Sequence, residues 1–289
     1  MNKLASKLAN FRWGSTILLI VVVGVWSIPT FALMITSFRD RDLANSSGWW
    51  EVITKPAEQL WSLGAYDKAL NLNGLGSAFV NTLVVTVPAT VLPIMIAAFA
   101  GYAFTFLEFK GREVLFAAIV ALMVIPLQAA LIPVLRGLVA LKMATGFTLI
   151  GNFAGTWLMH SAFALPLAIY IFRNYMMTLP PALIEAARID GASWWQIFWR
   201  LVIPMSVPSL ASFAIFQFLW VWNDYLIAFI FVGTKNPVMT YQVLRLLGQY
   251  GDGWQNVAAA SFISMVVPIA VFFALQRYFV RGLTSGSVK

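Results

Sequence analysis

Hydrophobic residues in this chain fall into six long runs separated by short polar stretches. The runs cover residues 14–36, 77–104, 114–135, 148–171, 205–232 and 256–280. A helix needs about 20 consecutive apolar residues to cross the hydrocarbon core of a bilayer, and each run reaches that length. The pattern therefore predicts an all-α membrane protein with six transmembrane helices.

The polar segments complete the predicted organisation. Residues 1–13 form a short basic tail, residues 37–76 an external segment rich in Trp, and residues 281–289 a second tail, while residues 77–280 form a core of five spans. Tryptophan favours the membrane–water interface, so we expect the external segment to lie at the membrane surface or to act as a lid. The first run, 14–36, is too long for a signal-peptide core and is expected to remain as an anchor.

One polar stretch, residues 179–204, carries helix signals of its own. Pro181 suits the first turn of a helix, Gly191 would end that helix, and Ser193 can cap a second one. We therefore expect two short helices joined by a hinge between the fourth and fifth spans. Pro204 is expected to turn the chain back into the membrane.

Composition and charge agree with a membrane protein. Hydrophobic residues make up 61% of the 289 residues and charged residues 10%, whereas soluble proteins carry about 25% charged residues. The net charge of +8 is spread between the apolar runs, so we expect no nucleic-acid partner. The chain has no cysteine, which excludes disulfides, thiolate metal sites and a cysteine nucleophile.

The distribution of basic residues predicts the orientation. Six spans place both termini on one side of the membrane, and 11 of the 19 Lys and Arg residues lie in segments that face this side. Cytoplasmic segments are enriched in Lys and Arg. We therefore expect a multi-pass protein of the cell (inner) membrane with both termini and the hairpin in the cytoplasm.

The hairpin resembles the EAA loop of ABC importer permeases, with Ile203 in place of the usual Leu before Pro. The matching residues are Glu185, Ala186, Ala187, Asp190, Gly191 and Pro204. The resemblance implies that the first hairpin helix docks in a cleft of a separate ATPase subunit, where Glu185 meets a basic residue. Two simpler interpretations stay open: an amphipathic hairpin resting on lipid headgroups, and a Glu185 that only stabilises the helix N-terminus, by about 0.3–1 kcal/mol.

Further blocks resemble the carbohydrate permeases of the maltose-transporter class, on the side of the G subunit. They are RNYM at 173–176, EAARIDGA at 185–192, PMS at 204–206, QFLW at 217–220 and WNDYL at 222–226. Residues 89–101 and 126–128 resemble the α-glucoside or glucosylglycerol branch. The resemblance implies a permease subunit of an ATP-driven importer for an α-glucoside-like di- or oligosaccharide.

Such an importer has several subunits. The resemblance implies a second homologous permease, two ATP-binding subunits and an external solute-binding protein. The chain contains no G-x-x-x-x-G-K-[ST] loop, so we expect no enzymatic activity, catalytic residue, metal or cofactor of its own, with ATP bound by the partner subunits.

Polar and aromatic residues in the fifth run form the predicted sugar path. An ionisable residue such as Asp224 at membrane depth costs about 2.5–3.5 kcal/mol when it faces lipid, so it indicates a function. The predicted path residues are Trp220, Trp222, Asn223, Asp224, Tyr225 and Gln128. Alternatively, this cluster packs against the partner permease or bonds to its own helix. His160, the sole histidine, is expected to form an interhelical hydrogen bond.

The role of the C-terminal tail and the function of the chain each have alternatives. A disordered end is the default for the tail, but the resemblance implies that Thr284, Ser285 and Gly286 contact the ATPase subunits. An ion-coupled secondary transporter and an ABC permease for a non-sugar solute stay open. The hairpin argues against the first, and the WNDYL and RNYM blocks argue against the second.

Overall fold

A computed structural model of the chain describes the backbone of residues 2–72, 74–246 and 253–284, and the side chains of residues 13–71, 74–246 and 253–276. The α-helices in these ranges are α1 (Asn2–Phe38), α2 (Arg41–Ser46), α3 (Glu51–Thr54), α4 (Gly64–Asp67), α5 (Leu75–Phe106), α6 (Arg112–Ala121), α7 (Leu127–Thr145), α8 (Phe153–Met176), α9 (Pro181–Ile189), α10 (Trp194–Ile197), α11 (Ile203–Trp222), α12 (Leu226–Phe231), α13 (Met239–Arg245) and α14 (Trp254–Thr284).

Among the described residues, six helical segments are long and apolar enough to cross a membrane. They are Trp13–Phe38, Leu75–Phe106, Leu127–Thr145, Phe153–Met176, Trp194–Trp222 and Trp254–Gln276. Within the described ranges, the only β pairing is one isolated bridge between Arg39 and Trp61. The predicted all-α membrane fold with six spans is confirmed.

The third span lies further along the chain than predicted. The expected run of 114–135 is divided, because α6 passes into a 3₁₀ turn at Leu122–Val124 and the chain is then extended at Ile125. A residue before proline disfavours the helical conformation, and Pro126 follows Ile125. Helix α7 then continues to Thr145, so residues 136–145, which were expected in a loop, belong to the span.

The fifth span begins earlier than predicted. Pro204 does not turn the chain, because α10 runs through a π-helical turn, Phe198–Val202, directly into α11. In this turn the N–H of Ile203 donates to the carbonyl of Phe198, five residues back. The wider turn carries the chain past Pro204 without a break. The span then ends at Trp222, and a separate short helix, α12, follows.

Two prolines inside α5 are tolerated because other helices supply the missing donors. A proline leaves the carbonyl four residues earlier without its helical partner. Pro88 frees the carbonyl of Val84, which accepts from Trp157 Nε1 of α8 at 2.8 Å. Pro93 frees the carbonyl of Ala89, which accepts from Gln217 Nε2 of α11 at 3.2 Å. This is the compensation expected for prolines in a spanning helix.

The chain forms two compact units, residues 1–76 with 242–264 and residues 77–241 with 265–289. In the first unit, Arg39 follows α1 and is 1% exposed. Its guanidinium donates to Gln59 Oε1 at 3.1 Å and to the Ser47 carbonyl at 3.0 Å. This buried arginine therefore ties two points of the predicted external segment to the end of α1.

In the second unit, a buried cluster of described residues joins α5, α8 and the α9–α11 region. Its members include Tyr102, Phe172, Ile184, Phe198 and Phe213. Residues of both hairpin helices are therefore part of the core of this unit, and the hairpin is not a free loop.

Candidate functional site

Helix α9 ends in a tight turn at Gly191. Gly191 has a φ of +80°, a conformation that glycine adopts without a Cβ clash. The N–H of Gly191 donates to the carbonyl of Arg188 at 3.1 Å, and the N–H of Ala192 donates to that of Ala187 at 2.9 Å. This Schellman pair satisfies carbonyls left free at the helix end. The predicted break between the two hairpin helices is confirmed.

Helix α10 begins with the predicted serine cap. Ser193 Oγ accepts from the backbone N–H of Gln196 at 3.3 Å, and Gln196 Oε1 accepts from the backbone N–H of Ser193 at 2.8 Å. This reciprocal capping box fixes the start of the helix. The guanidinium of Arg188 lies 4.5 Å from the centre of the Trp194 ring. Caps and a cation–π contact therefore close the hairpin across its turn.

One face of α9 is free for a partner. Leu183 and Ile189 are 46% and 86% exposed, whereas Ile184 on the opposite face is 7% exposed. Glu185 and Ala186 are also exposed, and within the described part of the chain no hydrogen bond or ion pair holds the Glu185 carboxylate. Asp190 is exposed and Ala187 is half-buried. The EAA residues thus border an apolar face that carries the unpaired carboxylate of Glu185.

The predicted path residues Asn223 and Asp224 occupy the break between α11 and α12. Asp224 Oδ2 accepts from the backbone N–H of Ala228 at 2.9 Å, and its backbone carbonyl accepts from Thr240 Oγ1 at 2.8 Å. The Asn223 amide donates to the carbonyl of Leu219 at 2.8 Å. Both side chains therefore bond to their own stretch of chain, as one of the open alternatives describes.

The three predicted aromatic residues face different surroundings. Trp222 is 1% exposed and packs between Phe79 and Phe218. Tyr225 lies parallel to the ring of Phe229, 5.4 Å away. Trp220 is 54% exposed. Helical periodicity places Trp220 and Trp222 on nearly opposite faces of α11, whereas Tyr225 follows the break, so its direction could not be predicted from the same helix.

A cavity of about 420 Å³ opens between α7, α8 and α11. Trp220 lines it, whereas the other predicted path residues do not. Two polar residues that the path prediction missed, His160 and Gln217, also line it. The rest of the wall is mostly apolar, with aromatic residues that include Phe163 and Phe216.

His160 lies between this cavity and the chain break. It is 2% exposed, and its Nε2 lies 3.6 Å from Asp224 Oδ2, beyond hydrogen-bond distance. Within the described residues, no hydrogen-bond partner reaches this nitrogen. The interhelical hydrogen bond predicted for His160 is therefore not formed among the described residues, although its ring lies near the Asp224 carboxylate. The one sequence signal for this position is that His160, the single histidine of the chain, lies inside an apolar run.

The remaining predicted site residues lie elsewhere. Gln128 is exposed in the first turn of α7. The backbone of α14 continues to Thr284, so the predicted tail begins as helix, while Ser285 and Gly286 lie outside the described residues. Among the described side chains, no group of three or more His, Cys, Asp or Glu could hold a metal ion.

Comparison with known proteins identifies the family. Residues 93–285 match the family described as "Binding-protein-dependent transport system inner membrane component". The chain belongs to this family. It is accordingly a multi-pass permease component of the inner membrane and works within an ABC importer. Membership sets aside the ion-coupled secondary transporter that the sequence analysis left open.

Individual relatives agree with this assignment. The osmoprotective compounds uptake permease protein GgtD of Synechocystis is 49% identical over 276 residues, which cover 94% of this chain and 91% of that protein. The alpha-glucoside transport system permease protein AglG of Rhizobium meliloti is 47% identical over 252 residues, covering 86% of this chain and 66% of that protein.

A solved structure shows the same fold. A chain from the crystal structure of a bacterial ABC transporter involved in the import of the acidic polysaccharide alginate matches with a TM-score of 0.76 at 22% identity. The match covers 94% of this chain and 97% of that chain. The resemblance to ABC importer permeases noted in the sequence is thus confirmed for the fold.

Proposed function

We propose that this chain is a transmembrane permease subunit of an ATP-driven importer that carries an α-glucoside-like sugar into the cytoplasm. The observation that carries the proposal is α9, whose exposed apolar face and unpaired Glu185 are held in place by a capped and closed hairpin. In a family member this is a docking face for a separate motor. The names of relatives with 49% and 47% identity support a sugar or a sugar-like osmoprotectant as cargo.

The complete importer contains this chain, a second homologous permease, two ATP-binding subunits and an external solute-binding protein. ATP binds and is hydrolysed on the partner subunits. Both termini and the hairpin lie in the cytoplasm, where Glu185 meets a basic residue of the ATPase, and Thr284, Ser285 and Gly286 contact the same subunits. Small Ala186 and Ala187 let the docked surfaces approach closely.

The sugar path of this chain runs along the cavity beside Trp220. Its indole face suits the C–H surface of a sugar ring, and His160 and Gln217 add polar groups to the same wall. The second permease supplies the facing wall. In this proposal Asp224 and Asn223 hold the chain break that shapes the cavity, and they do not bind the sugar directly.

The decisive experiment changes the charge on the docking face. We expect Glu185→Lys to abolish retention of the ATPase subunits in membranes and to abolish ATP hydrolysis stimulated by the binding protein. Glu108→Lys is the matched control, because Glu108 is also exposed and lies on the same predicted side but outside the hairpin. Normal assembly and hydrolysis in Glu185→Lys, with the permease inserted at wild-type level, would falsify the docking assignment.

Uptake measurements separate the sugar from the alternative non-sugar solutes. Vesicles with the assembled importer and its binding protein are given labelled α-glucosides, glucosylglycerol-type osmolytes, amino acids and polyamines in turn. We expect ATP-dependent uptake of a glucoside or a glucosylated osmolyte. Uptake confined to an amino acid or a polyamine would refute the cargo assignment and leave the importer assignment intact.

A further inference from the structure

One turn of α5 touches the helix that leads into the hairpin. At Gly101, an added Cβ would lie 3.1 Å from the backbone nitrogen of Arg173 and 3.1 Å from Cβ of Phe172. Such distances are tighter than ordinary van der Waals contact, so the backbone of α5 lies directly against α8. This contact is one turn from the end of α8 at Met176. Small residues allow helices in membranes to approach in this way.

The same turn of α5 also holds the second hairpin helix. The ring of Phe99 stacks on Phe198, with centroids 4.6 Å apart, and on Trp195 at 5.9 Å. The ring of Tyr102 meets Phe198 edge-on at 5.1 Å, and its hydroxyl donates to the carbonyl of Trp194 at 2.9 Å. These five residues are called the hairpin clasp below. Stacked and edge-to-face geometries are those that aromatic pairs prefer.

The clasp leaves the docking face of α9 free. Phe198 is 2% exposed, whereas Ile189 at the tip of α9 is 86% exposed. The hairpin thus presents one side outward and is fixed to α5 on the other. Packed rings and one hydrogen bond therefore connect the hairpin to α5.

The opposite end of α5 is bonded to the segment that follows α12. The Asn81 amide donates to the carbonyl of Pro237 at 3.0 Å, and Thr82 Oγ1 accepts from the backbone N–H of Met239 at 2.8 Å. With a helical rise of 1.5 Å per residue, these bonds lie about 25 Å along the helix from Phe99. One continuous helix therefore joins the hairpin clasp to residues 237–239, which lie between the fifth and sixth spans and so, in the predicted orientation, on the side of the membrane opposite the hairpin.

We propose that Phe99 and Tyr102 are positioning residues that make the hairpin and α5 move as one body. Displacement of the hairpin then passes along α5 to residues 237–239 and changes the outer mouth of the path. The proposal rests on the proposed function, because the ATPase supplies the displacement.

Distance measurements between spin labels test the rigid connection. The chain has no native cysteine, so cysteine pairs can be placed at Arg200 of the hairpin and Ile96 of α5, and at Arg200 and Leu141 of α7 as the reference. All three positions are exposed, and Arg200 lies outside the docking face of α9. In the assembled importer we expect trapping with ATP to shift the reference distance and to leave the 200–96 distance unchanged. If both distances shift equally, the rigid connection is wrong. If neither shifts, ATP does not move the hairpin, and the proposed function fails with it.

Coupling measurements separate positioning from folding. We expect Phe99→Ala to retain the ATPase subunits and stimulated hydrolysis but to consume several-fold more ATP per sugar transported. Tyr102→Phe, which removes only the hydroxyl, should raise this ratio less, and Phe99→Tyr should restore it. Tyr170→Phe and Phe273→Ala are matched controls at exposed positions. Wild-type ratios in both Phe99→Ala and Tyr102→Phe would overturn the proposal. Loss of the ATPase subunits in Phe99→Ala together with a normal ratio in Tyr102→Phe would also overturn it.

Discussion

Gly155 is a described glycine at which a neighbouring backbone group leaves no room for a Cβ atom. An added Cβ would lie 1.7 Å from the carbonyl oxygen of Leu149, in the turn before α8. Neither group is the end of a flexible side chain, so the turn or the helix start has to shift. We expect Gly155→Ala to lower the free energy of unfolding by about 1–3 kcal/mol, as for other overpacked sites. The midpoint of thermal unfolding in detergent measures the change.

Gly137 provides the control for this substitution. It lies inside α7, and an added Cβ would meet no atom within 4 Å. Alanine favours a helix over glycine by about 0.5–1 kcal/mol. Gly137→Ala should therefore leave the midpoint unchanged or raise it slightly. Equal losses in the two variants would mean that the close approach at Gly155 does not determine its stability.

Two single residues of the hairpin, Gly191 and Ser193, were predicted well from the sequence. Gly191 and Ser193 act through local chemistry, a left-handed φ and a side-chain cap, and such signals depend on few neighbours. Asp224 and Trp222 were different. Their surroundings depend on the break after α11 and on rings from α5, which no local pattern encodes. The sequence therefore predicted the turn and the cap of the hairpin, but it could not show that none of the WNDYL residues lines the cavity.

At the scale of whole elements, prolines caused the errors in the span boundaries. Pro126 interrupts a run that hydrophobicity alone makes continuous, and Pro204 fails to interrupt one because a π turn precedes it. Pro88 and Pro93 leave α5 intact because Trp157 and Gln217 supply donors from other helices. The effect of a proline in a spanning helix is thus decided by tertiary contacts.

A double-mutant cycle can test whether Trp157 compensates for the N–H that Pro88 lacks. Trp157→Phe removes the indole N–H and leaves the Val84 carbonyl without this donor, and lipid offers no replacement, so we expect a loss of about 1 kcal/mol, the usual net value of one hydrogen bond. Pro88→Ala restores a backbone N–H four residues after Val84. We therefore expect Pro88→Ala to recover most of the stability lost in Trp157→Phe, a coupling measurable from the four unfolding midpoints. Additive effects of the two substitutions would contradict this account.

At the scale of the whole molecule, several apolar spans need partners that this chain lacks. The span Trp13–Phe38 is 0% buried and the span Leu127–Thr145 is 6% buried, against 44% for Phe153–Met176. Lipid or a second permease has to cover them, in agreement with membership of a multi-subunit importer. The cavity beside α7 also exposes apolar surface, because its wall includes the exposed side chains of Trp220 and Phe216.

Substitutions of Trp220 and Trp222, two residues apart, distinguish an effect on transport from an effect on folding. Trp222 is 1% exposed, so Trp222→Ala should cost about 3–5 kcal/mol and reduce the amount of inserted protein. Trp220 is 54% exposed and lines the cavity. Trp220→Ala should insert normally and bind the ATPase subunits, but it should lose affinity for sugar in transport, with KM raised more than ATP hydrolysis is reduced. Trp220→Phe keeps an aromatic face and should retain most of the uptake. If Trp220→Ala transports sugar with an unchanged KM, the cavity is not part of the path, and contact with the second permease becomes the better account of its aromatic wall.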